Sequence, residues 1–180
     1  MDPQVQKLTT KGQATRARII DGAAAEIRER GVALTTIEDV MARTRTSKSQ
    51  IFHYFPRGKE QLLLAVATLE SQRVLDDQQP HLSELTSWAA WQRWRDVVVE
   101  RYRRQGQNCP IAVLMSEIGR TSTGAQAVTT ELIDSWRGAI ADGIVAMQQQ
   151  DKIARTVDAE RAAAALLAGI QGGVGIMLAT

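Results

Sequence analysis

Lys48, Ser49, Gln50 and His53 crowd into six positions of this 180-residue chain, with Arg45 just before them. Lys and Ser hydrogen-bond phosphate oxygens or base edges, and a Gln amide can pair bidentately with adenine. The residue types point to binding rather than to bond making. His53 and His81 are the only histidines, and no Ser-His-Asp order, metal-ligand spacing or phosphate loop accompanies them. An enzyme is therefore not expected, nor a cofactor or metal.

The neighbouring residues supply a frame for these polar tips. Thr36 can cap a helix with Asp39 at its third position. Ile37, Val40 and Met41 then form a one-sided apolar stripe that breaks at Arg43–Thr46. Ser47 can cap a second helix, on which Ile51, Phe52 and Phe55 have the spacing of a buried face, and Pro56 stops it. Two short helices joined by a tight turn, the second with polar tips, is how a helix-turn-helix looks from sequence. Residues 35–55 taken alone are equally compatible with a small helical hairpin with solvated tips.

The flanks distinguish these readings. A basic helix-forming run starting at Ala14 and ending at Gly31 precedes the pair, and Phe55-Pro56-Arg57-Gly58-Lys59-Glu60 follows it. With Thr35-Thr36-Ile37-x-Asp39-Val40 and Ser47-Lys48-Ser49-Gln50-Ile51-Phe52-His53-Tyr54-Phe55, residues 14–65 resemble the DNA-binding domain of the TetR family of bacterial transcription regulators. The Pro-Arg-Gly-Lys-Glu opening, with Asn108-Cys109-Pro110, is similar to the LmrA/YxaF-type branch. Two positions depart from the family pattern. Thr44-Arg45 replaces a small residue followed by Gly, so Arg45 is expected in ordinary helical or bridge geometry, adding a phosphate or base contact. Met41 replaces the usual Ala, which would set the two helices slightly farther apart.

The resemblance implies an all-α fold: an N-terminal three-helix helix-turn-helix domain over residues 1–58, then a C-terminal helical ligand-binding and dimerisation bundle over 59–180. It implies that Thr36, Ser47, Tyr54 and Lys59 hold phosphates while Lys48, Ser49, Gln50, His53 and Arg45 face base edges. The partners are double-stranded DNA, a small hydrophobic or aromatic ligand, and a second copy of the chain.

Composition agrees with that division. The net charge of +2 conceals +4 over residues 1–60 and −2 over 61–180, so the basic end is the one with the helix pair. Strand alternation is nearly absent. The helices expected are 14–30, 36–43, 47–54, 58–76, 82–104, 111–119, 123–149 and 158–178, after a polar arm over 1–13 that holds Lys7 and Lys11. A single cysteine, Cys109, excludes an internal disulfide framework, and with no signal peptide the expected location is cytoplasmic. Residues 162–180 carry no charge but fall short of a membrane span.

In the second part, helix 82–104 carries Trp88, Trp91 and Trp94, with apolar positions almost all the way round, as in a central helix. These tryptophans either line a cavity for an apolar ligand or fill the core. Met115, Ile118, Trp136 and Met147 are further candidate pocket residues. Cys109, at a helix start marked by Pro110, is either a reactive thiol or a small capping residue. The corresponding alternative function is a DNA-binding regulator governed by a protein partner or by Cys109 modification. The family dimerises through its last two helices; helix 158–178 would be the first of them, and the sequence stops at Thr180 without a second. Either the family's end is missing or the dimer is built differently.

Overall fold

The computed structural model describes residues 8–105, 118 and 122–180, and no strand occurs among them. Seven α-helices are described: α1 Thr10–Leu34, α2 Ile37–Thr44, α3 Lys48–Tyr54, α4 Lys59–Asp76, α5 Trp88–Gln105, α6 Thr123–Gln149 and α7 Ala159–Ala179. The expected segment 111–119 lies, except for the buried Ile118, outside the described residues, as do Cys109, Met115 and Lys7.

α1 starts earlier than its sequence suggests. The Thr9 hydroxyl accepts the Gly12 N–H at 3.2 Å, a cap that draws Lys11 and its neighbours into the helix and shortens the polar arm. Its regular geometry breaks at Gly31, where φ is 78°, a value that favours glycine. Ile19, Ile20, Ala23, Ala24 and Ile27 form its buried stripe, against which α2 and α4 pack. Gly22 sits where α1 meets α2. A Cβ there would collide with the Thr44 Cγ2 methyl, so the absent side chain sets how closely the two helices approach.

α4 joins the N-terminal head to the rest, packing against α1 and also against α6. Leu62, Leu63, Val66, Ala67 and Val74 are its buried positions. α6 spans Thr123–Gln149 as expected, capped by Ser122, and packs along α7, which is capped by Asp158. Trp136, Ile140 and Met147 of α6 are fully buried.

The helix expected over 82–104 begins only at Trp88. Leu82 and Leu85 are buried, but they belong to a 3-10 turn at His81–Glu84 and its exit. Gly143 of α6 admits this turn: a Cβ there would lie 2.5 Å from Leu85 Cβ and 3.1 Å from Trp91 Cζ2. Nor is α5 enclosed on all sides. Trp94, Val98 and Tyr102 are buried, whereas Trp88 is 56% exposed and Val99 is also exposed. Large side chains at both faces of a helix do not specify how many neighbours it has.

Candidate functional site

The helix-turn-helix is built by two capping boxes. At α2 the Asp39 N–H donates to Thr36 Oγ1 at 3.1 Å, and the Thr36 N–H and hydroxyl donate to Asp39 Oδ2 at 2.9 and 2.6 Å. These bonds, with the Arg30 guanidinium 2.7 Å away, lower the Asp39 pKa from 3.8 to about 2. At α3 the Gln50 N–H donates to Ser47 Oγ at 3.2 Å and the Ser47 N–H donates to Gln50 Oε1 at 3.0 Å. Gln50 therefore caps its own helix with the oxygen that bidentate adenine pairing would use, which leaves its NH2 as the available donor.

Arg45 closes α2 in the left-handed conformation, φ 50° and ψ 46°, not in helical or bridge geometry. The turn demands the backbone that glycine adopts cheaply, and Arg adopts it here because the Thr46 N–H reaches back to Met41 O at 3.2 Å. Thr44 and Thr46 are buried with their hydroxyls 2.7 Å apart, and Arg18 of α1 donates to the Thr44 carbonyl. Arg45 itself projects outward and is exposed.

On α3, Ile51 and the following Phe55 are fully buried. Phe52, expected in the same apolar face, is instead 41% exposed. The apolar spacing is real, but an aromatic one position from the centre of a short helix's inner face can turn either way. Lys48, Ser49 and His53 are exposed with it. Tyr54 is half-buried, stacked edge-on to His53 at 4.8 Å, and its hydroxyl lies beside Gly12 near the start of α1. Thr36 and Ser47 are exposed. Lys59, expected at a phosphate, donates its Nζ to the Val32 carbonyl at 2.9 Å and so ties α4 to the end of α1.

The charges of the head are sorted. Arg30 pairs with Asp39, Arg43 with Glu26 at 2.6 Å and with Glu29, and Arg28 with Glu70 of α4 at 2.6 Å. Lys11, Arg45 and Lys48 have no carboxylate partner among the described residues and are exposed. Lys48 on α3 and Arg45 in the turn before it thus keep their charge free on an exposed face, as a phosphate-facing surface needs.

The C-terminal part holds an apolar groove of about 500 Å³ between α5 and α7. Trp88, Trp91, Trp94, Val98, Ile170 and Val174 are among its walls. Trp91 meets Trp94 edge-to-face at 5.8 Å, and the Trp91 indole N–H is buried without a hydrogen-bond partner among the described residues. The Trp94 N–H donates to Gln78 Oε1 at 2.9 Å, while Gln78 Nε2 donates to the Val74 carbonyl at 2.7 Å. Sequence reading missed Gln78, which sits in a polar run with no periodicity to mark it. The groove brings together three of the candidate ligand residues and not the others. Ile118, Trp136 and Met147 are buried in the core outside its walls, and Met115 lies outside the described residues.

Three charged ties join α4 to its neighbours. Glu70, 3% exposed, receives Arg28 of α1 and Arg73 at 3.0 Å. Arg73 also reaches Asp21 of α1. Arg101 of α5 pairs with Asp77 at 2.8 Å and donates to the Arg73 carbonyl at 3.2 Å. Among the described residues no cluster of side chains could hold a metal ion, and no helix is long and apolar enough to cross a membrane.

Comparison with known proteins agrees with this anatomy. Residues 19–66 match the family described as bacterial regulatory proteins, tetR family. An uncharacterized HTH-type transcriptional regulator of Mycobacterium tuberculosis, matched in strains CDC 1551 and H37Rv, is 30% identical over 116 residues, or 59% of this chain and 55% of the relative. The match thus spans little more than half the length of those relatives. A TetR transcriptional regulator from Chloroflexus aurantiacus superposes with a TM-score of 0.78 at 28% identity, covering 94% of this chain and 86% of that one. Regulatory protein TetR from Rhodobacter sphaeroides shares the fold at 18% identity, with a TM-score of 0.77 over 91% of this chain and 88% of that one. With its capped helix pair, its basic recognition edge and its helical C-terminal part, the chain is similar to TetR-family regulators: residues 19–66 match that family's model, and the fold is shared with the solved TetR regulators.

Proposed function

We propose that the chain is a ligand-responsive transcriptional repressor that binds a palindromic DNA operator as a dimer in the cytoplasm. The reading takes residues 1–58 as the DNA-binding head and 59–180 as the regulatory part. Its main support is the exposed strip of α3, where Lys48, Ser49 and His53 project from a helix anchored by buried Ile51, beside the exposed Arg45. Lys48 and Ser49 meet base edges or phosphates, the Gln50 amide donates, and Ser47 and Tyr54 hold phosphates through hydroxyls at the helix edges, whereas Thr36 reaches a phosphate only by giving up the bond from its hydroxyl to Asp39. Lys59 uses one of its three N–H donors on the Val32 carbonyl and keeps the others for a phosphate.

The small hydrophobic or aromatic ligand belongs in the groove at Trp88, Trp91 and Trp94, whose walls are almost wholly apolar. The dimer belongs on the other side of α7. There Ala164, Ala165, Ala168, Gly172 and Ile176 are exposed, on a face distinct from the groove-lining Leu166, Ile170 and Val174. Two-fold pairing is also what a palindrome requires of two recognition helices about 34 Å, or a multiple of it, apart.

Selection from a random duplex pool at near-physiological salt tests the reading. A palindrome with half-sites about one turn, ~10 base pairs, apart is the expected result. Retention that is only salt-sensitive, with no motif, would remove the sequence-specific regulator. Quenching of tryptophan emission by a panel of small hydrophobic compounds, followed by release of the recovered operator, tests the ligand half.

A further inference from the structure

The recognition helix carries an aromatic side chain that the fold does not need. Phe52 is 41% exposed and lies outside the hydrophobic core that takes in Ile51, Phe55 and half-buried Tyr54. At about 100° per residue, Lys48, Ser49, Phe52 and His53 fall on one strip of α3, and all four are exposed. The ring is nonetheless placed. A Cβ at Gly58 would come within 3.3 Å of Phe52 Cε1 and 3.8 Å of Cζ, so one edge of the ring rests over the Gly58 backbone. Gly58 has φ 62°, which favours glycine there on conformational grounds as well.

An apolar ring held in place among polar tips leaves apolar area in water that contact with an apolar surface would bury. In the major groove the base edges are donors and acceptors, with the thymine C5-methyl as the apolar exception. We infer that Phe52 is a specificity-determining residue that packs on thymine methyl groups in each half-site. The inference rests on the DNA-binding reading above. It assigns to Phe52 a discrimination that the hydrogen-bonding tips Lys48, Ser49 and Gln50 cannot make, because a methyl neither donates nor accepts.

The test uses the operator recovered by selection, with each thymine replaced in turn by deoxyuridine. That change deletes the methyl and keeps the base pair. Binding is followed by fluorescence anisotropy for the parent chain, Phe52→Ala and Phe52→Leu. The parent should lose about fourfold in affinity for each contacted methyl, the factor expected for one buried methyl-sized group. Phe52→Ala should bind the thymine and uracil duplexes alike, and Phe52→Leu should retain part of the difference. Cytosine placed at the sensitive position should gain affinity when methylated at C5. A methyl effect undiminished in Phe52→Ala, or no methyl-sensitive thymine in a recovered operator, overturns this inference and leaves the DNA-binding reading standing. Recovery of no motif overturns both.

Discussion

Gly22→Ala places one methyl group at the closest point between α1 and α2. The new Cβ collides with Thr44 Cγ2, whereas its next neighbours, Thr44 Cβ at 3.6 Å and Arg43 Cδ at 3.8 Å, are at ordinary contact. Thr44 cannot turn away cheaply. It is buried, its hydroxyl donates to the Val40 carbonyl at 2.6 Å and sits 2.7 Å from the Thr46 hydroxyl, and rotating the methyl aside would break both. Overpacking of this kind costs up to ~3 kcal/mol. Ala for Gly inside a helix returns about 1 kcal/mol. The net expectation is a loss of about 2 kcal/mol, seen as a melting temperature lower by roughly 4–8 °C. Thr44→Ser deletes the struck methyl and retains the hydroxyl, at a cost of about 1 kcal/mol. In the double variant the collision is gone while the helix gain remains, so it should be about as stable as the parent. Denaturant titration of all four proteins gives the coupling term, expected at roughly 3 kcal/mol in favour of the pair. Additive losses, or a Gly22→Ala protein as stable as the parent, would show that α1 and α2 separate without strain and that this contact does not set their spacing.

Three further outcomes follow from the site. Lys48→Ala should weaken binding on all duplexes alike and reduce the slope of log affinity against log salt by about 1 if Lys48 holds a phosphate; an unchanged slope would remove it from the phosphate contacts. Asp39 has its pKa lowered from 3.8 to about 2 in the folded chain, so its contribution is complete above 3.8 and lost as pH falls towards 2. Asp39→Asn should flatten the stability profile of the parent across that window, and parallel acid profiles for the two proteins would contradict the assignment. Gln78→Leu leaves the buried Trp94 N–H without its acceptor and should cost about 1–3 kcal/mol in urea unfolding. Trp94→Phe in the same background should recover part of that loss, because the orphaned donor is gone.

The local parts of this molecule were legible because their signals are local. Capping residues Thr36 and Ser47 stand directly before the helices they start, and α6 matches its expected span. What escaped depends on three-dimensional neighbours. Phe52 and Phe55 are the same residue type three apart, and only the packing of α3 decides that one is buried and the other exposed. Leu82 and Leu85 continue the apolar pattern of α5, yet the chain turns between them and Trp88 to fit against Gly143. The tryptophan cluster was visible as composition, but its division between a groove wall and the core, with Trp136 on the core side, arises from where α7 lies. Gln78 gave no sign at all, since a buried amide clamp looks in sequence like any polar loop residue.

On the proposed ligand-responsive reading, the charged ties along α4 would set the route a signal takes. Glu70, Arg73 and Asp77 recur at intervals of about one helical turn, and the first two are fastened to α1 while the third is fastened to α5. Sliding or rolling α4 against α1 would strain the Arg28–Glu70 and Arg73–Asp21 pairs together, so both pairs oppose such a motion. A displacement of α5 would enter α4 at its Asp77 end, and the helix-turn-helix lies at the other end, about 27 Å away along the helix axis. On the proposed dimeric, ligand-responsive reading, control would be exercised through the distance and angle between two intact reading heads, and release from DNA and loss of the fold would be separate events.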